Sequence, residues 1–260
     1  IEVPGRAFFL RGIMAELERL ANHLGDFGAI CNDAAFAMML AQSSVLREEV
    51  LRAAKDCFGH RFMRDCIVPG GVTVDLDKPG DARLRALLER LRDRLPILVD
   101  LYDNTASLLD RTVSTGRLSP ELAKRFGAGG YVGRASGRDF DARRDLRYAP
   151  YNMLRFEVPL RTDGDVNARI WLRIREIEQS LSLITQMLNA LPAGPILTEV
   201  ASPGEPRAGL GLVEGFRGDI LVWVALDAET RIDRCHLRDP SWFQWPLLEA
   251  VIEGNIIADF

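Results

Sequence analysis

The chain has 260 residues, a formal net charge of −4, 47% hydrophobic and 27% charged residues, which is the balance of an ordinary globular protein large enough for one or two cores. The acidic balance gives no electrostatic case for binding nucleic acid or an anionic lipid surface. No apolar run approaches the roughly 20 residues of a spanning helix, so any membrane contact is expected to come through partners.

The sequence opens IEVPGRA without a Met and stops at GNIIADF without a terminal turn, and is read as an internal segment of a longer protein with no signal peptide. A first helix is expected over 2–27, where Leu10, Ile13, Leu17, Leu20, Leu24 and Phe27 make one face and Pro4 suits the lead-in. Its other positions carry Arg11, Glu16, Glu18, Arg19, Asn22 and His23, and His23 reads as a packed histidine rather than a ligand. A second helical stretch follows over 29–58, with small residues (Ala34, Ala35, Ala37, Ala41) that allow close helix approach. Asn32 and Asp33 interrupt its apolar run and need hydrogen-bond partners; Asp33 suits a helix cap. Residues 59–81 connect to the next helix through a turn at Pro69-Gly70-Gly71.

A third helix is expected over 81–114 on Leu84, Leu88, Leu91, Leu95, Leu98, Tyr102 and Leu109, with a kink or break at Pro96 and a solvated charged face. A short helix over 118–126 has Ser119 as cap and Pro120 at its first position. The loop 127–159 is crowded with alternating charge: Arg134, Arg138, Asp139, Asp141, Arg143, Arg144, Asp145 and Arg147. It can enter the interior only if each charge is paired. Asp139, Asp141 and Asp145 have oxygen-ligand spacing for a divalent cation, but the neighbouring arginines oppose that, and mutual pairing that pins the loop is expected instead.

The long helix over 163–191 follows, with Ile170, Ile174, Ile177, Leu181, Ile184 and Leu188 on one face, Asp163 or Asp165 as N-cap, and Pro192 past its end. A Pro/Gly loop over 193–206 is the best domain boundary. Beyond it the hydrophobic period changes to two, giving a three-stranded antiparallel meander over 207–237 with turns at Gly215–Gly218 and Asp227–Thr230, then a C-terminal helix. The expected organisation is a helical bundle over 1–191 carrying the charged loop 127–159, and a β meander with a C-terminal helix over 207–260: mainly α, multi-domain α+β. Cys31, Cys57, Cys66 and Cys235 form no C-x-x-C pair and read as buried or partly buried free thiols of a reducing compartment.

The ordered series GRASG, DFDARRD, Tyr148, Pro150 and Tyr151, FEVP, DGDVNAR and SLSLITQ resembles one superfamily: the large subunit of energy-converting nickel–iron hydrogenases (group 4, formate-hydrogenlyase type) and its relative, the quinone-site subunit of respiratory complex I, the NADH–quinone oxidoreductase. EVPGRAFFLRGIMAELERLANHL, the PGGV turn, VEGFRGD and HLRDPSWFQWP extend the resemblance over nearly the whole chain, and the wording around Asn32-Asp33 is closer to the hydrogenase branch. The resemblance implies a nickel–iron hydrogenase large-subunit-like fold. It also implies a role in passing electrons between a neighbouring iron–sulphur cluster and either protons or a quinone, with NADH or formate oxidised by other subunits. It places Asp33, Arg143, Asp145 and His236 near the quinone or active site, and His60 and Met63 near the partner's cluster, Met63 standing where complex I relatives carry a cluster-tuning histidine.

The resemblance further implies that the two cysteine pairs of a nickel–iron centre lie outside this segment, so no metal or cofactor is expected within it and the isolated segment is expected to be inactive. Implied partners are a small iron–sulphur subunit and further subunits of a membrane-bound complex, at the cytoplasmic face of the inner membrane. The rival reading is a non-catalytic scaffold paralogue that lost its centre.

Overall fold

The computed structural model describes residues 2–201 and 204–257. Four long helices form its frame. α1 (Gly5–Asp33) lies at the centre, packed against α2 (Ala37–Phe58) and α8 (Val166–Ala190), with α3 (Lys78–Asp103) against α2 and α8. The apolar faces read from the sequence are the ones buried: Leu10 to Phe27 on α1, Ile170 to Leu188 on α8 and Leu84 to Tyr102 on α3 all enter one core. Burial of each such side chain contributes about 1.5–3 kcal/mol, so the stripe pattern alone accounts for the bundle.

α1 is longer than its apolar face suggested, ending at Asp33, and the turn into α2 places Ala35 at φ 62°. Asp33 is thus the last helical residue and caps nothing; α2 begins after Phe36 with no side-chain cap. Helices α1 and α2 approach so closely that a Cβ on Gly28 would lie 1.8 Å from Ser43 Oγ and 3.0 Å from the Leu40 Cα. The connection after α2 holds a small antiparallel hairpin, β1 (Ile67–Val68) and β2 (Gly71–Val72), which the sequence showed only as a turn. α3 starts earlier than expected, capped by the Asp77 side chain on Gly80 N, and stops at Asp103, with the separate α4 (Ala106–Thr112) after it. It runs through Pro96 unbroken, where a kink or a break was expected. Pro96 lies on the exposed face, where the carbonyl left without its i+4 donor is open to water.

α5 (Pro120–Phe126) has the expected Ser119 cap, accepting from Leu122 N. The charged stretch is not an open loop. It folds into α6 (Gly130–Ala135), α7 (Ala142–Asp145) and a single 3-10 turn at Tyr151–Met153. Asp165 is the N-cap of α8, accepting from Ala168 N at 2.7 Å. The meander is as read, β3 (Arg207–Gly215), β4 (Gly218–Leu226) and β5 (Ile232–Arg238) in the order β3-β4-β5, followed by α9 (Ser241–Val251). Cys31, Cys57 and Cys66 are buried, whereas Cys235 on β5 is exposed, because both faces of that edge strand are open.

Candidate functional site

The interior holds a connected set of charges. On α1, Glu16, Arg19 and His23 recur at three and four residues and so share one stripe of the helix. Glu176 and Ser180 face them from α8, and Glu214 arrives at the end of β3. Arg134 ends α6, and Asp141 caps α7 by accepting from Arg143 N. All of these side chains are buried.

Arg134 is the hub. Its Nη2 donates to Glu176 Oε1 at 2.5 Å and its Nη1 to Glu214 Oε1 at 2.9 Å and the Phe140 carbonyl at 3.0 Å, with Asp141 Oδ2 at 3.4 Å. Arg143 grips Asp141 through Nε at 3.0 Å and Nη2 at 2.7 Å, and donates Nη1 to Glu16 Oε1 at 3.0 Å. Arg19 donates to Glu176 Oε2 at 3.1 Å and to the Glu214 carbonyl at 2.9 Å. Tyr151 and Ser180 hydroxyls donate to the two oxygens of Glu16, each at 2.6 Å. Arg143 also lies over the Tyr151 and Phe156 rings.

Four carboxylates (Glu16, Asp141, Glu176, Glu214) face three guanidiniums (Arg19, Arg134, Arg143), so the set carries −4 + 3 = −1 before His23 is counted. His23 Nε2 lies 2.8 Å from Glu176 Oε2, a carboxylate that can only accept, so Nε2 bears the proton. Nδ1 is buried with no partner, and burial lowers the His23 pKa, so the ring is neutral. Burial opposes ionisation of every acid here. At Asp141, Arg143 outweighs it and the carboxyl is held well below the usual range; at Glu176, Arg134 does the same. At Glu214 burial prevails over Arg134 and its pKa is raised, while its two oxygens accept from Arg134 Nη1 and from Ala142 N, each at 2.9 Å.

A cavity of about 530 Å³ lies further along α1, walled by Ile30 and Asp33, by Thr112 and Tyr131, and by Arg169 and Arg173 of α8. Of the residues marked from the sequence, Asp33 lines this cavity, while Arg143 sits in the ion network bonded to Glu16, 17 residues earlier on the same helix, roughly 25 Å away at 1.5 Å per residue. Asp145 is exposed at the end of α7, ion-paired to Arg144 at 2.9 Å and accepting from Asp141 N at 2.9 Å. His236 is exposed on β5, edge-on to Trp242. His60 follows the α2 cap, its Nδ1 accepting from Phe62 N at 3.1 Å, and Met63 sits beside it at φ 50°, packed against the core. The four residues marked as site-lining are therefore in four different surroundings.

The expected pairing within the charged stretch holds for Arg144 with Asp139 and Asp145 and for Arg143 with Asp141. The partners supplied from elsewhere, Glu16, Glu176 and Glu214, were not singled out; the 16-19-23 spacing on α1 was the signal available. The four cysteines do not fit a nickel–iron centre. Cys57 and Cys66 donate their thiols to backbone carbonyls of Gly80 and Phe58, and burial pushes the Cys31 and Cys57 thiols up to about 12 and 11. Among the described residues no cluster of three His, Cys, Asp or Glu could hold a metal.

Residues 33–210 match the family model described as "Respiratory-chain NADH dehydrogenase, 49 Kd subunit". The chain is 35% identical over its whole length to an NADH-quinone oxidoreductase subunit of Desulfotalea psychrophila, covering 70% of that protein. It is 31% identical to the carbon monoxide-induced hydrogenase of Rhodospirillum rubrum, over 99% of this chain and 72% of that one. It is 33% identical to formate hydrogenlyase subunit 5 of Escherichia coli, of which it spans 46%, about half the length. One sequence thus matches relatives of both names at 31–35% identity, in line with the superfamily its ordered motifs implied, and these identities do not favour the hydrogenase branch read around Asn32-Asp33. The chain belongs to the family of the respiratory-chain NADH dehydrogenase 49 Kd subunit.

Proposed function

We propose that this chain serves as the redox-site subunit of a multi-subunit, membrane-associated oxidoreductase, passing electrons between an iron–sulphur cluster on a partner subunit and either a quinone or protons. The observation that carries this reading is the match along the entire chain, at 31–35% identity, to subunits named for quinone reduction and to subunits of hydrogen-linked enzymes. NADH or formate would be oxidised elsewhere in the assembly. Among the described residues no helix is long and apolar enough to cross a membrane, in keeping with a peripheral subunit held to the cytoplasmic face of the inner membrane by its partners. The ion network holds α1 and α8 in fixed register, and Asp33 and Arg173 from these two helices wall one cavity. In this reading Asp33 orients or protonates the acceptor, Arg143 and Asp145 hold α7 against the other end of α1, and His60 and Met63 face the cluster-bearing partner.

Deletion of the gene, followed by assays on isolated membranes, tests the reading. Quinone-linked or hydrogen-linked electron transfer from the native donor is expected to fall to background, while reduction of an artificial dye by the donor subunits persists. Retention of both linked activities after deletion would overturn it.

A further inference from the structure

Arg169 and Arg173 stand one helical turn apart on α8 and line the same cavity. A like-charged pair at i,i+4 is unfavourable even on a solvated helix. Here both side chains are largely withdrawn from solvent, and Arg169 has no ion pair among the described residues: its Nη1 and Nη2 donate to the carbonyls of Gly164 at 2.7 Å and Gly116 at 2.9 Å. Arg173 reaches Asp26 through Nε at 3.4 Å and donates Nη1 to the Arg169 carbonyl at 3.1 Å. It is held flat against the Tyr131 ring, 3.7 Å from guanidinium carbon to ring centroid. Each guanidinium has five N–H donors, and these bonds occupy two on each. Burial, aided by the charge of Arg173, lowers the Arg169 pKa to about 10. Asp33 brings one carboxylate to the same cavity and Asp26 pairs with Arg173 at 3.4 Å, but neither is an ion-pair partner of Arg169, an arrangement that an anion held between the two arginines would relieve.

The rest of the cavity narrows the class of anion. Ile30, Ala34, Val132 and Val166 supply apolar wall, and about 530 Å³ is room for a small organic molecule rather than a bare ion. We propose that this cavity binds a free small organic carboxylate, its carboxylate gripped by Arg169 and Arg173 and its carbon body lying on Ile30, Ala34, Val132 and Val166. Planar guanidiniums match a carboxylate with two parallel hydrogen bonds each. The carboxylate would occupy the cavity that the redox reading gives to the acceptor, so the two would compete for it; the inference itself concerns equilibrium binding and is read without any electron-transfer assay.

The test is calorimetric titration of the native protein with benzoate, acetate and succinate, with sodium chloride at matched ionic strength as reference. At least one carboxylate is expected to bind saturably with one site per chain. Arg173→Gln is expected to weaken that binding tenfold or more, and Arg173→Lys, which keeps the charge and loses the paired geometry, by an intermediate factor. Arg175→Gln, a change at an exposed arginine paired with Glu178 on another face of α8, should leave binding unchanged. The wild-type titration stands whether or not the Arg173 variants fold well. Absence of saturable binding beyond the chloride reference would overturn the proposal, whether the cavity is then empty or filled by a carboxylate side chain. Saturable binding that Arg173→Gln and Arg175→Gln weaken equally would also overturn it.

Discussion

Replacing Arg134 by Met is the sharpest perturbation of the interior. The methionine keeps an unbranched side chain of similar reach and removes the charge. It leaves Glu176, Glu214 and Asp141, now 2.5, 2.9 and 3.4 Å from nothing cationic at that position, in a fully buried setting. Breaking one buried pair costs about 3–5 kcal/mol because the remaining charge is uncompensated. Three carboxylates share this partner, and Arg19 and Arg143 still hold Glu176 and Asp141, so we expect a loss of about 3–5 kcal/mol or somewhat more. For a chain of this size that corresponds to a fall in melting temperature of roughly 6–20 °C. Arg144→Met is the control: Arg144 makes two carboxylate contacts at comparable distances but is 36% exposed, and about 0–1 kcal/mol is expected. Urea unfolding followed by circular dichroism measures both. The double variant Arg134→Met/Glu176→Gln should be less destabilised than the sum of its single variants, since the two groups are in contact. Equal, sub-kilocalorie effects for Arg134→Met and Arg144→Met would refute the argument that the network acts as a unit.

Three further outcomes follow from the same structure. Gly28→Ala should destabilise by up to about 2 kcal/mol, because strain of about 1–3 kcal/mol from a Cβ against the α2 backbone at Leu40 outweighs the roughly 1 kcal/mol that alanine contributes to a helix; a rise in melting temperature would count against the close α1–α2 approach. The folded-state pKa values of Glu16, Asp141 and Glu176 are depressed, so their stabilisation is complete above the unfolded carboxylate values near ~4 and is lost as pH falls below them. His23, also depressed, adds an earlier loss as pH drops below ~6.5, and that first step should vanish in His23→Gln; Glu214, with a raised pKa, works in the opposite sense and softens the acid limb. Unfolding free energies between pH 3 and 8 would show the two steps or their absence. With an aromatic disulfide reagent, the exposed Cys235 should react at once in the native protein and Cys31, Cys57 and Cys66 only after denaturant is added; prompt reaction of a second thiol would contradict the burial described.

Much of the fold was legible because helix faces and strand alternation are local signals. The stripes on α1, α3 and α8, the Ser119 and Asp165 caps and the meander turns are each written within a dozen residues. The failures are equally physical. Pro96 was expected to kink or break α3, and the helix passes it unbroken with the proline on its solvated face, where water can reach the carbonyl it leaves unbonded. The extent of α1 past Phe27 was in fact written in the same stripe, since Cys31 follows Phe27 at four residues and enters the same core; Gly28, Asn32 and Asp33, weak helix formers, obscured it.

The charged stretch could be read as demanding pairs, yet not with whom. Arg134 finds Glu176 42 residues away and Glu214 80 residues away, separations at which no local pattern speaks. Glu16 and Arg19 looked like solvent-facing positions of an amphipathic helix because α1 is covered on its second side by elements that sequence periodicity does not reveal. Site residues carried by resemblance fared according to the same limit: Asp33 lines a cavity, but nothing in the sequence placed Arg169 and Arg173 beside it.

The most direct measurement of the central claim is recovery of the native complex through an affinity tag on this chain, followed by iron and nickel analysis and by quinone-reductase and hydrogen-evolution assays on what is recovered. The account predicts co-purification of an iron–sulphur partner together with one of the two activities, nickel accompanying the hydrogen-linked case. A chain recovered alone, without iron and without either activity, would contradict it.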